Sequence, residues 1–133
     1  MTEDQFPQDF VKRLQAQLGD QWMDFVSAHR APSPISIRLN PAKTDITESG
    51  DAIPWSKYGK YLKERPSFTL DPEFHGGKYY VQEASSMFIE QAFMQTVDQS
   101  GPLNILDLCA APGGKSTHLL SLMNQESLLV SNE

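Results

Sequence analysis

The sequence has few residues that could form disulfides or bind metals. Among its 133 residues there is one cysteine, Cys109, so no internal disulfide framework can form, and zinc held by pairs of cysteines is excluded. The three histidines, His29, His75 and His118, are scattered along the chain and indicate no metal cluster. We therefore expect neither disulfides nor a metal site.

Long apolar runs are also missing. No stretch reaches the roughly 20 residues that a membrane-spanning helix needs, and the N-terminus lacks the charged-then-apolar pattern of a secretion signal. We therefore expect a soluble, cytoplasmic protein with no membrane partner. The formal net charge of −6 does not by itself indicate a nucleic-acid partner.

Residues 55–80 depart from this acidic balance, because they hold five cations against three anions. Basic residues interleaved with aromatic ones suit a chain of phosphates and stacked bases. The alternative is a pair of strands with a solvated face and its aromatic residues in the core, and the small excess of positive charge slightly favours it. The residues concerned are Trp55, Lys57, Tyr58, Lys60, Tyr61, Lys63, Arg65, Lys78, Tyr79 and Tyr80.

The most informative segment is a Gly-rich loop, residues 109–115, which follows an apolar run (103–106) and precedes a leucine-rich helical pattern. Two adjacent glycines let the backbone approach a ligand closely, and the helix that begins there offers unpaired N–H groups to an anion. The segment does not fit a P-loop, because Cys109 stands where the first glycine is needed, and it lacks the spacing of a dinucleotide fingerprint. The loop residues are Cys109, Ala110, Ala111, Pro112, Gly113, Gly114 and Lys115.

An acidic residue follows the next short apolar run, 128–130. Glu133 lies roughly 20 residues past the Gly-rich loop, where the second strand of a Rossmann-like sheet ends and a carboxylate commonly binds a ribose diol. We therefore expect Glu133 to bind the same ligand as the loop.

Periodicity organises the rest of the chain. Apolar residues recur every four positions over residues 6–18, which predicts a helix, and a second helix is expected after Asp20. Alternation over residues 35–39 predicts a half-buried strand. Further along, we predict a turn at residues 44–54, two short strands within 55–70, a loop at 71–77 and a helix at 84–92. A polar linker at 98–102 suggests two domains, 1–100 and 101–133.

The loop sequence Cys-Ala-Ala-Pro-Gly-Gly-Lys resembles the cofactor loop of the Nol1/Nop2/Sun family of RNA (cytosine-5-)-methyltransferases. Three further segments, 36–43, 79–86 and 131–133, resemble motifs of the same family and occur in the same order. The pattern is nearest to the bacterial ribosomal-RNA branch.

This resemblance implies a small N-terminal α/β domain followed by the first β-α-β of a Rossmann-like methyltransferase domain. It implies S-adenosyl-L-methionine as cofactor, bound by residues 109–115 and Glu133, and RNA, with ribosomal RNA favoured, as partner. Family members use cysteines of later motifs for catalysis. We therefore expect no catalytic residue in this chain, an N-terminal fragment that is inactive alone, and Cys109 as a packing residue. The sequence does not indicate the oligomeric state.

Other readings stay open at this point. Residues 1–100 could be a non-catalytic RNA-binding module, and Gly114-Lys115-Ser116 could belong to a nucleotide-binding, P-loop-like protein. Arg38 is expected to be an exposed strand residue rather than a phosphate contact. A group of polar residues either borders the cofactor cleft or caps a helix, and the sequence supports the two interpretations equally. These residues are Gln82, Glu83, Ser85 and Ser86.

Overall fold

The computed structural model describes residues 6–44 and 50–133, and the chain divides into two compact units, Met1–Ser33 and Pro34–Glu133. The first unit holds two helices, α1 (Gln8–Leu18) and α2 (Trp22–Arg30). Gly19 ends α1 with a φ of 53°, a backbone angle that glycine tolerates readily. Both predicted helices are confirmed.

Aromatic rings hold this helical pair together. The ring centroids of Phe6 and Phe10 lie 5.4 Å apart, and those of Trp22 and Phe25 lie 5.7 Å apart. Phe6 and Phe10 belong to the four-residue repeat that predicted α1, and each ring also lies 6.4 Å from that of Phe25. The apolar face of α1 therefore packs on α2, as an amphipathic helix requires.

The second unit contains a four-stranded antiparallel sheet of order β2-β3-β1-β4. The strands are β1 (Ile35–Leu39), β2 (Asp51–Ala52), β3 (Gly59–Leu62) and β4 (Tyr79–Val81). The prediction of β1 is confirmed, but four of its five residues are buried, so it is covered on both faces. The predicted turn at 44–54 lies partly outside the described residues, at 45–49.

The stretch between β3 and β4 differs from the prediction. Residues 55–70 hold one strand, β3, and then a short 3-10 helix (Phe68–Leu70) in place of a second strand. The predicted loop contains a one-turn helix, α3 (Pro72–His75), because Asp71 accepts a hydrogen bond from the Glu73 N–H at 2.9 Å and Pro72 suits a first helical position.

A β-α-β unit completes the fold. A 3-10 turn (Ser85–Phe88) leads into α4 (Ile89–Thr96), and then β5 (Asn104–Asp107), α5 (Gly114–Leu122) and β6 (Leu128–Ser131) follow. β5 and β6 pair in parallel, with Asn104 opposite Leu128 and Asp107 opposite Ser131. The α/β class and the expected first β-α-β are thereby confirmed.

Both sheets belong to the same compact unit, Pro34–Glu133. The helix α5 contacts α4 and the 3-10 turn before it, so the β-α-β unit is packed on the residues that precede it. The domain boundary at residue 100 stays a prediction.

Two apolar clusters form the interior of this unit. One contains Ile37, Leu39 and Tyr79, and the other contains Ile53, Ala84 and Met87. Gly59 lies against the second cluster, where an added Cβ would come within 2.8 Å of the Met87 sulfur. The close approach of β3 to this cluster therefore requires glycine.

Candidate cofactor-binding site

The Gly-rich loop joins the end of β5 to the start of α5. Gly113 adopts a φ of 98°, a left-handed conformation that favours glycine, and its N–H donates to the Ala110 carbonyl at 2.7 Å. The Ala111–Pro112 peptide bond is cis. Because α5 begins at Gly114, Pro112 lies in the loop, before the helix. The first N–H groups of α5 have no partner within the helix and are available to an anion.

The loop is fastened to the end of β6. The Ala110 N–H donates to the Asn132 carbonyl at 3.0 Å, and the Ala111 N–H donates to Glu133 Oε2 at 2.9 Å. Glu133 and the loop, 22 residues apart in sequence, are thus neighbours at the carboxyl ends of two parallel strands. In open α/β sheets, this edge is where ligands bind.

Asp107, at the end of β5, supports the loop from within. Its Oδ1 accepts from the Cys109 N–H at 3.2 Å, and its Oδ2 accepts from the Ser116 hydroxyl at 2.6 Å. Asp107 was missed in the sequence, although an acid two residues before the loop with a serine nine residues after the acid is a detectable signal. The Cys109 thiol is free and exposed, so the expectation that Cys109 is a packing residue is wrong. Lys115 is exposed as well.

A cleft of about 210 Å³ lies between the loop and the end of β4. Gln82, Glu83 and Ser86 line it opposite the loop. No side chain caps the 3-10 turn or α4, and the Ser85 hydroxyl donates to Glu83 Oε1 at 2.8 Å. Of the two readings of this segment, the structure therefore favours the border of a cleft over helix capping.

Arg38 is buried, with 3% of its surface exposed, so the expectation of an exposed strand residue is wrong. The reason is that α5 covers this face of β1. The Nε of Arg38 donates to Gln82 Oε1 at 2.8 Å. Its Nη2 donates to Thr117 Oγ1 at 2.7 Å and to the Gly114 carbonyl at 3.4 Å. Burial lowers the pKa of Arg38 to about 10, against the opposing influence of Tyr80 and Glu90, so the side chain is a cation at neutral pH.

Tyr80 meets the loop from the same side. Its hydroxyl donates to the Pro112 carbonyl at 3.1 Å. An added Cβ at Gly114 would lie 3.3 Å from Tyr80 Cε1, so the ring packs directly on the backbone at the start of α5. Gly113 thus supplies a backbone angle, whereas Gly114 supplies room for Tyr80.

A second buried polar group anchors α5. Glu90 accepts from the Ser56 hydroxyl at 2.8 Å, from the Lys57 N–H at 3.1 Å and from His118 Nε2 at 3.0 Å. Burial raises the pKa of Glu90, but the hydrogen bonds from His118, Ser56 and Lys57 outweigh it and leave that pKa below its ordinary value. His118 is fully buried, and its Nδ1 has no hydrogen-bond partner among the described residues.

The aromatic residues of the basic segment are mostly structural. Tyr58 and Tyr79 belong to or pack on the first apolar cluster, and Trp55 and Tyr61 pack on the second. This arrangement agrees with the core reading of the segment. Tyr80 is different, because it lines both the cleft beside the Gly-rich loop and a larger cleft of about 500 Å³ that Arg38 and Lys43 also line.

Within residues 6–44 and 50–133, no helix is long and apolar enough to cross a membrane. In the same ranges, no group of three or more histidine, cysteine or acidic side chains is placed to hold a metal ion.

Comparison with known proteins agrees with this geometry. The family model described as the N-terminal domain of 16S rRNA methyltransferase RsmF matches residues 6–84, and that of 16S rRNA methyltransferase RsmB/F matches residues 94–133. The ribosomal RNA small subunit methyltransferase F of Shewanella woodyi is 34% identical over 97% of this chain and 30% of its own length. The protein of the same name from Escherichia coli O127:H6 is 31% identical over 96% of this chain and 30% of its own length.

Among solved structures, a methyltransferase homolog protein from Pyrococcus horikoshii matches with a TM-score of 0.76 and 28% identity, covering 96% of this chain and 44% of that one. The present chain spans about 30% of the length of the curated relatives it matches. The resemblance to the bacterial ribosomal-RNA branch of the Nol1/Nop2/Sun family is confirmed, and the chain belongs to the RsmF family of 16S rRNA methyltransferases.

Proposed function

We propose that this chain supplies the cofactor loop and the preceding N-terminal domain of an S-adenosyl-L-methionine-dependent methyltransferase that modifies C5 of a cytosine in ribosomal RNA. One observation carries the proposal. The Gly-rich loop, the start of α5 and Glu133 lie together at the carboxyl ends of β5 and β6, joined by the bond from the Ala111 N–H to Glu133. This is the edge at which Rossmann-like sheets bind nucleotides.

Each part of the site suits one part of the cofactor. The free N–H groups at the start of α5 and the exposed ammonium of Lys115 suit the carboxylate of the methionine moiety. Ala110 and Ala111 leave room beside it, and the Glu133 carboxylate suits the two ribose hydroxyls. When bound, the cofactor supplies a methyl group on a sulfonium ion. The residues proposed as cofactor-binding are Cys109, Ala110, Ala111, Pro112, Gly113, Gly114, Lys115 and Glu133.

The chain alone is proposed to be catalytically inactive. Its one cysteine lies in the Gly-rich loop, where its N–H is bonded to Asp107 and its side chain is exposed. No base is bonded to the Cys109 thiol within the described residues, so nothing there activates it as a nucleophile. Transfer of labelled methyl groups to RNA by the purified chain would contradict this assignment.

The test of the cofactor site is calorimetric titration of S-adenosylhomocysteine into this chain and into a longer chain that includes the rest of the relatives' methyltransferase domain. We expect binding to the longer chain, and a loss of at least tenfold in Glu133→Gln. Glu126→Gln, an exposed acid in the turn before β6, is the matched control and leaves affinity unchanged. Absence of binding to both chains would refute the cofactor assignment.

A titration with ATP and magnesium distinguishes the alternative of a P-loop-like, nucleotide-binding protein from the cofactor assignment. We expect no binding, since Cys109 occupies the position of the first P-loop glycine. Micromolar binding of ATP to this chain would instead favour a nucleotide-binding protein.

A second function, RNA binding by this chain, is favoured by the larger cleft. Arg38, Lys43 and Tyr80 line it, and among residues 6–44 and 50–133 no carboxylate does. Cations beside an aromatic ring suit a phosphate and a stacked base. An electrophoretic shift with fragments of ribosomal RNA would support RNA binding if it weakens steeply between roughly 50 and 200 mM salt, because contacts to phosphates weaken as salt rises. Lys43→Ala is expected to weaken the shift, and a salt-independent shift would refute it.

A further inference from the structure

We propose that Arg38 and Tyr80, which lie about 30 residues or more before the Gly-rich loop, are positioning residues that hold the loop and the first turn of α5 in the conformation that binds the cofactor. The proposal rests on the cofactor assignment above and extends it to two residues outside the loop. It gives β1 and β4 a role in cofactor affinity.

Tyr80 acts on one peptide group of the loop. Its hydroxyl holds the Pro112 carbonyl at 3.1 Å. In a planar trans peptide the N–H of the next residue points opposite to that carbonyl, so this bond also fixes the direction of the Gly113 N–H. That N–H closes the turn by donating to Ala110 at 2.7 Å. Losing the hydroxyl therefore frees the peptide that shapes the turn.

Arg38 acts on the peptide two residues further along. Its Nη2 donates to the Gly114 carbonyl at 3.4 Å and to Thr117 Oγ1 at 2.7 Å, and the same oxygen of Thr117 lies 2.7 Å from the Gly113 carbonyl. By the same planarity, a held Gly114 carbonyl fixes the Lys115 N–H on the opposite side. Lys115 lines the cofactor cleft, and its N–H is among the helix-start donors left open to an anion.

The charge of Arg38 supports this reading. A guanidinium with 3% exposure is costly to bury, and its hydrogen-bond partners are an amide, a hydroxyl and carbonyls rather than a carboxylate. It lies against the first turn of α5, where the helix dipole is already positive. The Glu90 carboxylate interacts with this charge but makes no hydrogen bond to it among the described residues, so the cation still raises the potential felt by an anion in the cleft.

The experiment compares two ligands that share the adenosine and the sulfur but differ in the amino-acid end. S-adenosylhomocysteine carries the carboxylate, and 5′-methylthioadenosine lacks it. The variants are Tyr80→Phe and Arg38→Lys, with Tyr61→Phe and Arg65→Lys as matched controls away from the loop. All variants are titrated in the chain that binds S-adenosylhomocysteine, whether this one or the longer one. Two-dimensional amide NMR spectra of the 133-residue variants verify that they fold.

We expect Tyr80→Phe to weaken S-adenosylhomocysteine about fivefold, the equivalent of one hydrogen bond, and Arg38→Lys about tenfold. The affinity for 5′-methylthioadenosine and that of both controls stay within twofold. Equal losses of affinity for both ligands would mean a general structural role and would overturn the proposal. An unchanged affinity of Tyr80→Phe for S-adenosylhomocysteine would also overturn it. If Arg38→Lys does not fold, the result for Tyr80→Phe decides. If neither unaltered chain binds S-adenosylhomocysteine, the cofactor assignment fails first, which separates the two failures.

Discussion

Replacing Glu90 by glutamine tests how strongly α5 is anchored to the rest of its unit. Glu90 is 5% exposed, and its carboxylate accepts hydrogen bonds from Ser56, Lys57 and His118. Hydrogen bonds to a charged acceptor contribute about 1.5–3 kcal/mol each, compared with about 1 kcal/mol for neutral ones. A glutamine offers one acceptor oxygen and brings two new donors, so part of this strength is lost and a buried donor is left unpaired. Together these effects cost about 3 kcal/mol.

The assay is urea unfolding followed by circular dichroism and by tryptophan fluorescence. Trp55 reports on this unit, since its indole donates to the Ala84 carbonyl at 2.7 Å, and Trp22→Phe in both chains removes the signal of the other tryptophan. With a slope of about 2 kcal/mol per molar urea, the expected loss lowers the midpoint by about 1.5 M. Glu83→Gln is the control, because its exposed carboxylate is bonded to the Ser85 hydroxyl alone among the described residues. A midpoint for Glu90→Gln within 0.3 M of that control, at roughly this slope, would refute the anchoring role.

The same variant carries a pH signature. The pKa of Glu90 is depressed in the folded chain, so its contribution is present above its unfolded pKa of about 4.3 and is lost as the pH falls through the folded value. The stability difference between the wild-type chain and Glu90→Gln is therefore expected to be full at pH 6 and to narrow below about pH 4. A difference that grows on acidification would contradict this sign.

Three further outcomes are expected. Gly113→Ala meets no atom within 4 Å but forces an alanine to a φ of 98°, so it costs about 1–2 kcal/mol in thermal or urea unfolding. Gly59→Ala costs about 2–3 kcal/mol, since its Cβ would lie 2.8 Å from the Met87 sulfur, and Met87→Ala in the same chain recovers part of the loss that is due to this clash. The exposed Cys109 thiol reacts with Ellman's reagent in the folded chain, and saturating S-adenosylhomocysteine slows that reaction in the chain that binds it; an unaffected rate would place the ligand elsewhere.

Local patterns in the sequence were sufficient for the parts of the fold that local contacts define. The four-residue apolar repeat predicted α1, the alternation at 35–39 predicted β1, and the loop sequence predicted the turn between β5 and α5. In each case the residues that carry the signal are adjacent on one face or in one turn, so their spacing contains the information.

Arg38 could not be placed from its sequence neighbours. In β1 it occupies the polar phase of an alternation, which ordinarily faces water. Its burial depends on Thr117, 79 positions away, and on a helix that no local pattern connects to β1. The strand β4 and the helix α3 were missed for a related reason, since three or four residues are too few to set a period and each depends on a partner strand or a capping side chain.

Because the chain is synthesised from its N-terminus, the two buried polar groups beneath α5 are made before the residues that enclose them. Arg38 and Glu90 leave the ribosome well before Thr117 and His118, the residues that complete their hydrogen bonds. Until then both side chains keep their water, because a charge enters an interior only with its partners in place. The burial of Arg38 and Glu90 is therefore complete only once α5 has been synthesised and packed in place.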